Sequence, residues 1–120
     1  MTDPTAFISD LLHMWTKPHQ SERLEVIRSH FTADVQLHDP DGTFEGEAGL
    51  EAFSASLRER FPSARFRLVS PPEVVGDGFR AFWTFGPDDH PDAATGMDFV
   101  LWNGSQAHAL YAFVNPPAEQ

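Results

Sequence analysis

The sequence predicts an α+β fold: three helices, one early strand among them, then four strands joined as an antiparallel meander. Two observations carry this. Apolar residues recur mostly at helical spacing up to Pro62 and in strand alternation after it. Hairpin signals, Gly76-Asp77-Gly78 and Asn103-Gly104, punctuate the second part. At 120 residues the chain is read as one domain, 1–120, with a real core and no room for a second.

Asp3-Pro4 starts the first helix, with Asp as cap and Pro at the first helical position. Phe7, Ile8, Leu11, Leu12, Met14 and Trp15 fill one side of it, and Pro18 ends it. A second helix begins near Ser21 and is expected to bury Leu24, Ile27 and Phe31. The early strand runs through Val35 to Asp39, and Pro40-Asp41-Gly42 turns the chain. Thr43-Phe44-Glu45-Gly46 reads as a short link with a single ladder rung. A third helix spans residues 47–61, with Leu50, Phe53, Leu57 and Phe61 on one narrow face and Pro62 as its stop.

Strands follow. Residues 66–70 lead through Pro71-Pro72 to Val74-Val75. Residues 79–85 alternate, with Phe79, Ala81, Trp83 and Phe85 on one face. A polar loop over 86–92 leads to strands over 96–102 and 107–114, and Asn115-Pro116-Pro117 opens a frayed tail. A strongly curved sheet wrapped around the helices would leave a closed-ended pocket lined by inward strand positions.

Apolar residues at 41% and aromatic residues at 12% place the chain among globular domains rather than disordered ones. Eighteen acidic residues against eight basic ones give a net charge of −10, a surface expected to repel nucleic acid and anionic membrane. There is no cysteine, which excludes disulfides, thiolate metal sites and a Cys nucleophile. With no secretory pattern and no run of membrane-spanning length, a cytoplasmic location is expected.

Two carboxylates draw the chemistry. Asp39 continues the apolar face of Val35 and Leu37 just where the chain turns. A reachable carboxylate against water-excluding walls is what a general base needs. A turn-capping role for Asp39 is equally open, since Asp readily bonds nearby backbone groups. Asp98 sits in Gly96-Met97-Asp98-Phe99-Val100-Leu101-Trp102 and shares its face with Val100 and Trp102. Burial there raises a carboxyl pKa, so Asp98 is a candidate neutral acid that donates to a substrate oxygen. The alternative is a structural ion pair with Arg65, Arg67 or Arg80.

His13, His19, His30, His38, His90 and His108 show no HxH or HxxxH spacing, so no metal site is expected. His108 shares its strand register with Leu110, Ala112 and Val114. It is either a pocket acid or base or an exposed sheet residue. Trp15 either reaches the pocket with its donor N–H or packs in the core. No phosphate loop, dinucleotide fingerprint or serine esterase motif occurs.

Phe31-Thr-Ala-Asp34-Val, His38-Asp39-Pro40-x-Gly42, Phe44-x-Gly46 and a helix through Ala52-Phe53 together resemble the nuclear transport factor 2-like superfamily. Within it the chain is most similar to SnoaL-like polyketide cyclases and ketosteroid isomerase-like proteins, over nearly its whole length. The resemblance implies a cone-shaped fold, with three N-terminal helices packed in a strongly curved, mostly antiparallel sheet enclosing a hydrophobic pocket. It implies a homodimer through the outer sheet face. By resemblance, Asp39 is the proton-moving base and Asp98 the protonated acid that helps hold an oxyanion. The family's first-helix Tyr donor is missing; that region reads His13-Met14-Trp15.

The expected function is therefore cofactor-free general acid/base catalysis on an apolar carbonyl compound, of isomerase or cyclase type. Asp39 and Asp98 are its catalytic pair, and Trp15, Leu37, Phe53, Val100, Trp102, His108 and Leu110 its substrate-binding set. The alternative is a small-ligand-binding or dimerisation module of the same fold.

Overall fold

A computed structural model describes residues 3–116, and Pro117 of the expected tail lies outside them. Asp3 caps the first helix, α1 (Pro4–Met14), its Oδ1 accepting the Thr5 N–H at 3.1 Å. The apolar side of α1 is buried from Phe7 to Met14, and Trp15 follows it into the core. The second helix, α2 (Gln20–His30), buries Ile27 and, unexpectedly, Arg23, while Leu24 is only half-buried. Arg23 tolerates burial because each of its guanidinium nitrogens finds an acceptor. Nε and Nη2 donate to the two oxygens of Glu51 at 3.1 and 2.6 Å, and Nη1 donates to the Lys17 carbonyl at 2.7 Å. Phe31, expected on that helix, instead opens the first strand. The backbone turns extended there at φ −126° and ψ 148°.

The third helix, α3 (Gly46–Arg60), buries Leu50, Phe53 and Leu57. The buried Ser54 hydroxyl donates to the Trp15 carbonyl at 3.0 Å, which ties the end of α1 to α3. Phe61 lies just past the helix and is 43% exposed, its ring edge against Phe85.

Among the described residues, seven strands form one curved sheet: β1 (Phe31–Asp39), β2 (Gly42–Glu45), β3 (Arg65–Leu68), β4 (Glu73–Val75), β5 (Gly78–Gly86), β6 (Ala94–Trp102) and β7 (Ala107–Val114). Their order is β2-β1-β7-β6-β5-β3, with β4 also on β5. Every pairing is antiparallel except β1 with β7. The expected link over 43–46 is a full hairpin strand, paired from Gln36↔Glu45 to Asp39↔Gly42. Pro71-Pro72 breaks the strand before β5 into β3 and β4, which share one edge of it. Gly76 takes φ 58° in the two-residue turn from β4 to β5, where a side chain would be strained.

The helices cover the concave face. α3 packs on β1 and β2, α1 on β3, and α2 against both other helices. Alternation puts Phe79, Ala81, Trp83 and Phe85 of β5 and Asp98, Val100 and Trp102 of β6 on that buried face. The result is the α+β cone. No described helix is long and apolar enough to cross a membrane.

Candidate functional site

One end of the cone is filled. Trp102 packs edge-on against Phe7 and Phe79, both ring centroids 5.1 Å away, and Val100 is completely buried. Neither residue lines the cavity at the other end. Alternation along β6 gives them the same face as Asp98 but carries them toward this closed end. At the other end the helices and sheet leave an apolar cavity of about 370 Å³. Trp15, Leu37, Phe53, Trp83, Asp98 and Leu110 are among the buried residues of its floor and walls. Asp41, Arg60, Phe61, Pro87, Ala93 and Val114 are exposed to some degree and form the rim.

Asp98 is 3% exposed, and the partner of its carboxylate is not an arginine. Arg65 and Arg67 both pair with Asp88, and Arg80 with Glu73. Instead the Trp83 indole Nε1 donates to Asp98 Oδ1 at 3.0 Å. This contact depends on Gly96. Trp83 faces Gly96 across β5 and β6, and a Cβ at 96 would overlap the indole ring and the Phe113 carbonyl. The absent side chain lets the indole lie along β6 and reach Asp98, two residues on. Burial pushes the Asp98 carboxyl up to about 7, opposed by the Trp83 bond and reinforced by the charge of Asp39.

Asp39 ends β1 at the cavity, half-buried. Its Oδ1 accepts the Asp41 N–H at 2.8 Å, so it caps the turn and faces the cavity at once. Burial raises its carboxyl above the ordinary value; the Asp41 N–H opposes this, the Asp41 charge adds to it, and Arg60 draws it down. Trp15 lies at the floor, its ring edge-on to Phe53 with centroids 5.2 Å apart.

His108 is exposed and off the cavity. The register runs Leu101↔Ala109 and Trp102↔Ala107, so β7 carries an extra residue there. That bulge turns Ala107 into the core and leaves His108 outside, breaking the alternation that linked it to Leu110. The sequence reading also missed Trp83 and Arg60 as cavity residues. A glycine inside an apolar strand, facing a Trp, was the available signal for the first.

The arrangement suits proton transfer. A half-buried carboxylate and a buried carboxyl that is neutral below about pH 7 share one apolar, largely water-excluding cavity.

Solved structures share this architecture. A candidate isomerase of the SnoaL-like family from Agrobacterium tumefaciens superposes with TM-score 0.86 at 25% identity, over 97% of this chain and 100% of that one. A protein of ketosteroid isomerase-like fold from Catenulispora acidiphila, in complex with trimethylamine, gives 0.74 at 15% identity over 93% and 86%. A candidate SnoaL-like polyketide cyclase from Jannaschia gives 0.69 at 16% over 96% and 89%. No curated protein matches the sequence. Residues 11–110 match the SnoaL-like domain, and with the cone and its helices this places the chain in the SnoaL-like family of the nuclear transport factor 2-like superfamily.

Proposed function

We propose that this protein is a cofactor-free isomerase or cyclase that moves a proton alpha to the carbonyl of an apolar small molecule. The observation that carries the reading is Asp98, a carboxyl at the cavity floor held by an indole N–H, with its former candidate cations engaged elsewhere. The substrate enters past the rim with its carbonyl inward. Neutral Asp98 donates its proton as a hydrogen bond to the carbonyl oxygen, and Asp39 takes the alpha proton. The enolate-like oxygen is then stabilised by a donor already in place, an effect of a few kcal/mol for a well-placed group. With a β,γ-unsaturated substrate, returning the proton from Asp39 to the γ carbon of the dienolate completes an isomerisation; attack of the enolate carbon on a second carbonyl of the same molecule, with Asp39 returning its proton to the new alkoxide, completes a cyclisation. Trp15, Leu37, Phe53 and Leu110 shape the apolar bed.

A second reading, ligand binding without turnover, is favoured by the bond from Asp41 N–H to Asp39, which serves a turn whether or not chemistry occurs. Hydrogen–deuterium exchange separates the two. In D2O the protein should speed alpha-proton exchange of a bicyclic ketone, and D39N should abolish the gain. A ketone that binds without faster exchange would establish the binding reading instead.

The same reading includes a homodimer through the outer sheet face. Its support is the exposed Phe82 on β5 and Tyr111 and Phe113 on β7, the two strands that flank β6, with Phe82 and Phe113 both registered on Met97. Light scattering of the wild type against F113E tests it, with the variant expected to lose half its mass.

A further inference from the structure

We propose that Arg60 sets the substrate class of this cavity, its guanidinium gripping a neutral carbonyl or hydroxyl oxygen at the end of the substrate that projects from the mouth. This rests on the acid/base reading above and narrows it. The accepted compounds are apolar carbonyl molecules with a second oxygen function remote from the reacting one.

Arg60 is the last residue of α3 and lies exposed at the rim. Its Nε donates to the Ser56 hydroxyl and carbonyl at 3.2 and 3.4 Å, and its guanidinium carbon sits 5.3 Å from the Phe61 ring centre. These contacts fix the stem and leave both terminal amino groups for a ligand. The other basic side chains are engaged. Lys17, Arg23, Arg28, Arg65, Arg67 and Arg80 pair with carboxylates, and Arg58 donates to the Pro62 carbonyl. In a chain with eighteen acidic residues, Arg60 has no carboxylate within ion-pair distance among the described residues. It is also the one Lys or Arg lining the cavity.

A guanidinium only donates, so its ligand must bring an acceptor. Two features select a neutral acceptor over a carboxylate. Asp39 and Asp41 line the same mouth, so an incoming anion meets two carboxylates beside the one cation. The net charge of −10 opposes its approach as well. A ketone or hydroxyl oxygen takes the charge-assisted bond without that repulsion.

The test is calorimetric binding of three probes on one decalin skeleton: an enone, the enone with a distal ketone, and the enone with a distal carboxylate. The wild type should bind the distal ketone about tenfold more tightly than the plain enone. R60M should bind these two alike, at the plain enone's wild-type affinity, with an unchanged melting temperature. R60K, which keeps the charge but loses the fork, should retain part of the preference. Equal binding of the two enones by the wild type, or a preference that survives R60M, would overturn the role of Arg60 and leave the acid/base reading standing. Tightest binding of the carboxylate would overturn the neutral assignment. Failure of every probe to bind the wild type would overturn the carbonyl-site reading and this inference together.

Discussion

Replacing Asp98 with Asn should make the protein more stable at pH 8 than the wild type. Asn keeps an Oδ1 acceptor for the Trp83 N–H, keeps the side-chain shape and carries no charge. The wild-type penalty follows from linkage. The Asp98 carboxyl ionises near the ordinary 3.8 when unfolded and at about 7 when folded. Between those values the folded state holds the extra proton, so stability falls as pH rises. The favourable neutral state is fully present below 3.8, and what it contributes is lost once pH passes about 7. The span corresponds to about 4 kcal/mol, with roughly half lost near pH 5.5. Relaxation or water entry in the charged state reduces this, so a measured difference of about 2–4 kcal/mol is expected. Urea denaturation of both proteins every half unit from pH 4.5 to 8.5 gives the profile. Subtracting the two curves cancels the histidines and the other carboxylates. The difference should climb with pH and level off above 7. Parallel curves would refute the reasoning, because a carboxyl that ionises normally in the fold contributes no slope there.

Gly96→Ala should destabilise the protein by about 1–3 kcal/mol in urea and change its Trp fluorescence, since the added methyl overlaps the Trp83 ring and the Phe113 carbonyl. Trp83→Phe should cost about 1–3 kcal/mol and raise the Asp98 carboxyl further, visible by carbon-detected NMR titration, because the indole N–H favours the ionised form. Arg23→Ala should cost about 3–5 kcal/mol, far more than an exposed arginine, because Glu51 and the Lys17 carbonyl lose a largely buried partner; thermal unfolding checks it.

Much of the fold was legible because its signals are local. The Asp3 cap, the Pro62 stop and the period-two pattern of 79–85 and 96–102 each act over a few residues, and the elements lie where those patterns are. Alternation also fixes a face, which is why Asp98 and Trp83 both point inward. It does not fix depth. Asp98, Val100 and Trp102 share a face, yet only Asp98 reaches the cavity. Nor does it survive an insertion: one extra residue in β7 sends His108 to the surface. The Trp83–Asp98 bond needs β5 and β6 in register, and Arg60 reaches the mouth only because α3 ends there. Both are products of tertiary packing, which a single sequence does not display.

The division of labour between the two carboxyls follows from where β1 and β6 place them. Asp39 sits at a strand end, half in solvent, with a backbone N–H on one oxygen and Arg60 nearby, and both favour its charged form. Asp98 sits in mid-strand, fully desolvated, with one indole N–H against the cost of burial. The first charge also discourages the second, since Asp39 raises Asp98. A proton entering this cavity near neutral pH therefore has a preferred resting place at its floor. On the proposed reading, the acceptor for a substrate proton is Asp39, nearer the solvent. Exchanging the environments would exchange the roles, because the side chains are chemically identical. The mechanism proposed above thus rests on the sheet register and on the missing Cβ of Gly96, rather than on the identity of the acids themselves.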